Sequence, residues 1–92
     1  WHSKAVDDLN KNIKYIATKS PQNAMHVLET LTDLADTLAL MPYKYLKEPV
    51  YNSENIRFVT KWSFKIVYRV ELDTIYILRV FNTNQKPSKV FE

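Results

Sequence analysis

The sequence predicts an α+β fold: an N-terminal two-helix antiparallel hairpin packed on a three- to four-stranded antiparallel sheet. Three observations carry this expectation. Apolar residues recur at helical spacing before residue 42, three β-branched runs lie between residues 56 and 81, and Ser20-Pro21 breaks the helical pattern in two. The chain has 92 residues, 46% of them hydrophobic, so residues 1–92 are expected to form one small domain with one core.

The first helix is expected over residues 4 to 18. Ser3 suits its N-cap, and Val6, Leu9, Ile13 and Ile16 recur every three or four residues. The stretch KSPQNA then resets the chain. Ser20 can cap a second helix, Pro21 suits its first position, and the proline ring disfavours helical geometry at Ser20. Ala24, Val27, Leu28, Leu31, Leu34, Ala35 and Leu38 form a wide apolar stripe that stops at Met41-Pro42. So short a break between amphipathic helices predicts an antiparallel pair.

From Pro42 to Asn55 the pattern disappears into a loop long enough to suggest a role beyond connection. Its tyrosines, Tyr43, Tyr45 and Tyr51, are suited to stacking on bases, to filling pockets on a partner, or to packing over the end of the core.

Three strand-like runs follow: IRFVTKW, FKIVYRVE and TIYILRVF. They are close enough in sequence for an antiparallel meander. In the middle run Phe64, Ile66, Tyr68 and Val70 share one face, expected to meet the helices, and Lys65, Val67 and Arg69 share the other. The third run puts Tyr76, Leu78 and Val80 on one face and Ile75, Ile77 and Phe81 on the other. It reads as the best-buried strand, with Arg79 as its exception. Burial favours a three-residue turn at Lys61 to Ser63, which would send Ile56 and Phe58 inward and set Arg57 beside Lys65 and Arg69; a two-residue turn reverses that.

Composition removes several kinds of chemistry. Cysteine is absent, which excludes disulfides, thiolate metal sites and a cysteine nucleophile. Glycine is absent too, so glycine loops that cradle phosphate are ruled out and no nucleotide cofactor is expected. No apolar run approaches the roughly 18 residues of a membrane span, and no signal-peptide pattern opens the chain. The net charge of +3 is uneven: residues 1 to 55 sum to −1 and residues 56 to 92 to +4. A concentrated positive field suits a phosphate backbone or an acidic protein, although a solvated surface needs the same charges.

The order of elements and the residues themselves resemble the RelE/ParE superfamily of toxins from type II toxin–antitoxin modules, often labelled plasmid-stabilisation proteins. WHSKAVDDL, IKYI, SPQNA, the IR that opens a strand, FKIVYRV and IYILRVFNTNQKP carry the resemblance in order, across nearly the whole chain. The family has a short β-strand directly before the position of Trp1, so that first strand is expected to be missing or truncated here. The resemblance implies a cytoplasmic protein that inhibits growth, needs no cofactor, and is neutralised by a cognate antitoxin. No membrane is involved, and DNA is met only through the antitoxin.

Two mechanisms occur among such toxins. The ParE-like branch poisons DNA gyrase without catalysis; the RelE-like branch cuts messenger RNA on the ribosome. Cleavage needs a base, an acid and cations around the phosphate. The ribonucleolytic relatives' strand arginine falls on Lys65, their second arginine on Gln85, their C-terminal tyrosine on Phe91, and their strand lysines on Ile56 and Phe58. That inventory is depleted, so inhibition of gyrase is the expected function, with a divergent ribosome-dependent endoribonuclease as the alternative. The alternative would use Lys65, Arg69, Arg79 and Lys86 as phosphate clamps. The antitoxin- or target-binding set is Arg57, Lys65, Arg69, Arg79, Gln85, Lys86 and Lys89. His2 and His26 read as exposed or satisfied, no metal-ligand spacing accompanies them, and Asp7 and Asp8 point in different directions.

Overall fold

The computed structural model describes residues 1–49, 53–72 and 74–83. Helix α1 spans Ser3–Lys19 and α2 spans Pro21–Thr37; strands β1 (Leu46–Lys47), β2 (Ile56–Lys61), β3 (Phe64–Val70) and β4 (Ile75–Asn82) follow. The strands form one antiparallel sheet in the order β1-β2-β3-β4.

His2, one residue before the expected cap, closes α1: its Nδ1 accepts the Lys4 N–H at 3.1 Å. The buried stripe of α1 accordingly starts at Ala5 and Leu9, with Ile13 and Ile16 packed beside it, and leaves Val6 exposed. Ser20 serves two helices. Its N–H donates to the Ile16 carbonyl at 2.9 Å and ends α1, while its Oγ accepts the Asn23 N–H at 3.2 Å and starts α2. With Pro21 behind it, Ser20 is extended, as the residue before a proline should be. Val27, Leu31 and Ala35 of α2, with Leu38 that caps it, meet Phe64, Ile66, Tyr68 and Val70 of β3 in one core, joined by Val59, Ile77 and Val80.

The loop before β2 supplies the fourth strand: Leu46 pairs with Phe58 and Lys47 with Arg57. Its tyrosines divide in use. Tyr45 packs against the core, Tyr43 stays exposed beneath the Arg57 guanidinium, and Tyr51 lies outside the described residues.

Three expectations are corrected. Lys61 pairs with Phe64, so the turn between β2 and β3 has two residues rather than three, and Ile56 and Phe58 lie beside Arg69 and Val67 on the face away from the helices. The burial argument failed because Phe58 finds cover elsewhere, with Lys65 Nζ 4.5 Å from its ring centre. Arg57, turned toward the helical side, is held by the carbonyls of Glu54 (2.8 Å) and Tyr45 (3.2 Å) and by the Glu54 carboxylate (3.2 Å).

In β4, Val67 pairs with Arg79 but Tyr68 pairs with Ile77, so Leu78 is an extra residue in a bulge. Ile75, Ile77 and Val80 therefore share the helix-facing side, while Tyr76, Arg79 and Phe81 share the other. The best-buried strand is β3, with a neighbour on each side, whereas β4 is an edge strand.

Tyr68 ties this core to the loop. Its hydroxyl donates to the Pro42 carbonyl at 2.7 Å, and burial raises its pKa from 10.0 to about 12, against a smaller lowering by Arg57. The folded state therefore holds this proton more tightly than the unfolded chain. That contribution is complete below pH 10 and is lost as pH rises toward 12. Denaturant unfolding at about pH 9 and about pH 11.5 is expected to show a stability loss on the order of 2 kcal/mol, part of which disappears in Tyr68→Phe.

Candidate interaction surface

The sheet face turned away from the helices is built from alternate residues of three strands. Phe58 comes from β2, Lys65, Val67 and Arg69 from β3, and Tyr76, Arg79 and Phe81 from β4. Val67 and Phe81 are buried although they belong to the opposite side from the apolar core. On this face each cation lies over an aromatic ring. Lys65 covers Phe58, the Arg69 guanidinium carbon lies 5.0 Å from the Tyr76 ring centre, and that of Arg79 lies 4.7 Å from Phe81. Such contacts lay the cations' apolar stems across the rings and shield part of the face from water.

Each of these cations also has a carboxylate. Lys65 Nζ lies 2.7 Å from Glu48 Oε2, and Glu48 is only 1% exposed. The residue after β1 thus reaches into the sheet face, held there by its own N–H donating to the Ile56 carbonyl at 2.9 Å. Arg69 Nε sits 2.8 Å from Glu71 Oε1 in an open pair without an aligned hydrogen bond, worth at most about 1 kcal/mol at this exposure.

Arg79 is held best. Its Nε and one terminal nitrogen grip the two oxygens of Asp8 at 2.8 and 3.0 Å, and Asp8 Oδ2 also accepts the Val80 N–H at 3.0 Å. The helix α1 is thereby clamped to the edge strand.

The sequence-derived set is thus only partly assembled. Lys65, Arg69 and Arg79 share one face; Arg57 lies on the other, bracing the loop. Gln85, Lys86, Lys89 and Phe91 lie outside the described residues. The residues that reasoning on the sequence missed are the acidic partners. Asp8 and Glu48 carry no local signal, because each meets its cation only through the tertiary fold. His2 is used as a cap, and the ring of His26 packs against Trp62. Among the described residues no three His, Asp or Glu side chains converge to hold a metal, and no helix is long and apolar enough to cross a membrane.

Chemically, the face offers aromatic surface and paired charge. Its polar members among the described residues are Thr60, Lys65, Arg69, Tyr76 and Arg79, with the Glu48 carboxylate set beside Lys65. Arrangements of this kind recognise flat macromolecular surfaces, where aromatic and arginine side chains supply most of the binding energy.

Comparison with known proteins agrees in kind. A family model described as the ParE toxin of type II toxin-antitoxin system, parDE, matches residues 1–87. No curated protein matches the chain closely enough to add to this. Two helices followed by an antiparallel sheet and a match over nearly the full length lead to one conclusion: the chain belongs to the ParE toxin family, and is the toxin of a type II toxin–antitoxin pair whose implied partner is an antitoxin.

Proposed function

We propose that this toxin inhibits growth by binding DNA gyrase, without cutting RNA. The observation that carries the reading is the buried Glu48–Lys65 pair. Lys65 stands where the ribonucleolytic relatives carry their strand arginine, and its charge is already matched at 2.7 Å by a carboxylate that would repel a phosphate. Phe58, beneath Lys65, and Ile56, opposite Arg69, stand in place of the strand lysines. A scissile phosphate brought to this face meets a neutralised lysine, an arginine paired with Glu71 and another paired with Asp8. For a protein partner the two shielded pairs, Lys65–Glu48 and Arg79–Asp8, are an asset, since they fix the aromatic rings and are already largely desolvated. The antitoxin is expected to lay an amphipathic segment along the helices or to add a strand to an exposed edge of the sheet.

Inducing the toxin in growing cells, and following labelled thymidine and methionine over the first minutes, tests the reading. DNA synthesis is expected to fall first; an earlier fall in protein synthesis places the target on the ribosome and defeats the proposal. A second test replaces the ion pair as a unit. With Glu48→Leu and Lys65→Met together, toxicity is expected to stay within about twofold of the parent, because a packed apolar pair preserves the face. A loss of toxicity in a folded double variant would mean that the lysine charge does chemistry.

A further inference from the structure

The turn between β2 and β3 holds a residue that neither the core nor the outer sheet face uses. Trp62 has φ 53°, in the left-handed region that bulky side chains avoid. At the first central position of a two-residue hairpin turn glycine is usual, with asparagine or aspartate as the next choice. The chain has no glycine but is rich in asparagine, so the backbone does not explain an indole here. Burial does not explain it either, since Trp62 is 54% exposed.

Beside the indole is a depression of about 290 Å³ between the helix pair and the turn. Its floor is Val27 and Phe64, and its rim carries Asn23, His26, Ser63 and Asn82. The His26 ring centre lies 5.7 Å from that of Trp62 and tilts 48° to it, and Lys61 Nζ lies 5.1 Å from the indole centre.

We propose that this depression takes one unpaired nucleobase of a single-stranded nucleic acid, stacked on Trp62, with Lys61 meeting the neighbouring phosphate. The rim selects this ligand chemistry. Amide, hydroxyl and imidazole side chains together supply both hydrogen-bond donors and acceptors, which matches the mixed edge of a base. An aliphatic anchor from a protein would desolvate that rim and return nothing to it. Among the residues that line the depression none is a carboxylate, so a phosphate is not opposed there. The site lies on the helix side of the sheet, away from Lys65 and Arg69, and does not depend on which macromolecule the toxin inhibits. It departs from the expectation that nucleic acid is met only through the antitoxin.

The test is a titration of the purified chain, at about 50 mM salt, with a thymidine 12-mer and with an abasic 12-mer of equal charge, read by indole fluorescence and by anisotropy of the labelled oligomer. Saturable quenching by the thymidine oligomer is expected, with at least about tenfold weaker binding of the abasic one. Trp62→Asn should abolish the quenching and weaken binding by at least about tenfold, while its thermal unfolding temperature stays at or above that of the parent, because asparagine tolerates this φ. Equal binding of the two oligomers, unchanged binding by a folded Trp62→Asn variant, or an absence of binding overturns the proposal. Equal quenching by a polyglutamate peptide also overturns it and makes the site a protein-docking surface.

Discussion

Replacing Asp8 with alanine is expected to remove about 3 kcal/mol of folding stability, a large part of what a small domain has to lose. The magnitude follows from what one carboxylate does. It accepts two bonds from Arg79 and one from the Val80 N–H, in a site where both side chains are mostly shielded from water. Alanine would take this acceptor away from the Arg79 guanidinium and from the Val80 N–H in the same small volume, and each lost bond carries a desolvation penalty. Asp8→Asn keeps one oxygen for Val80 or for Arg79 and should lose roughly half as much. Urea unfolding near neutral pH measures both. A loss under about 1 kcal/mol for Asp8→Ala would show that the clamp is no stronger than an ordinary surface pair.

The second large effect is expected at Glu48. Glu48→Ala should cost about 3 kcal/mol, since it opens a space under the loop and leaves the Lys65 ammonium part-buried without its counter-charge. Joint replacement by Glu48→Leu and Lys65→Met should return to within about 1 kcal/mol of the parent, because an ion pair of this kind offsets much of its Coulomb gain by desolvation. The two single variants and the double variant form a cycle whose coupling energy is the quantity of interest. Additive losses would mean that Glu48 is held by the loop backbone alone and that Lys65 is indifferent to it.

These two carboxylates also mark the limit of what was legible in advance. The helix break at Ser20-Pro21 and the facing of β3 were readable because each depends on neighbours within four positions: a hydroxyl, a proline ring, an alternation of period two. The facing of β4 was not readable, since nearly every residue of IYILRVF is apolar and the bulge at Leu78 shifts the alternation without a glycine to announce it. The turn length was misjudged because an apolar side chain was assumed to require the helical layer. Phe58 is instead covered by the stem and head of a lysine, a form of burial that hydrophobic patterning does not register.

The alternation of β3 set Lys65 and Arg69 on one face, as the structure does, and the structure adds Arg79 to them in place of Arg57. What escaped was their condition. Three positive charges on a strand pattern look like an appeal to an outside anion until Asp8, Glu48 and Glu71 are placed, and two of those three come from distant parts of the chain.

The clamp between Asp8 and Arg79 joins residues 71 positions apart, and this separation gives the fold a clock. At a synthesis rate of about 5–20 residues per second, Asp8 leaves the peptidyl-transferase centre roughly 4–14 s before its partner is made. Until β4 is made the helix pair has at most an incomplete sheet to cover Leu9, Val27 and Leu31, and the outer face lacks its Tyr76, Arg79 and Phe81 column. A truncated or stalled chain therefore cannot present the finished surface. Whatever binding depends on that face waits until β4 has been made.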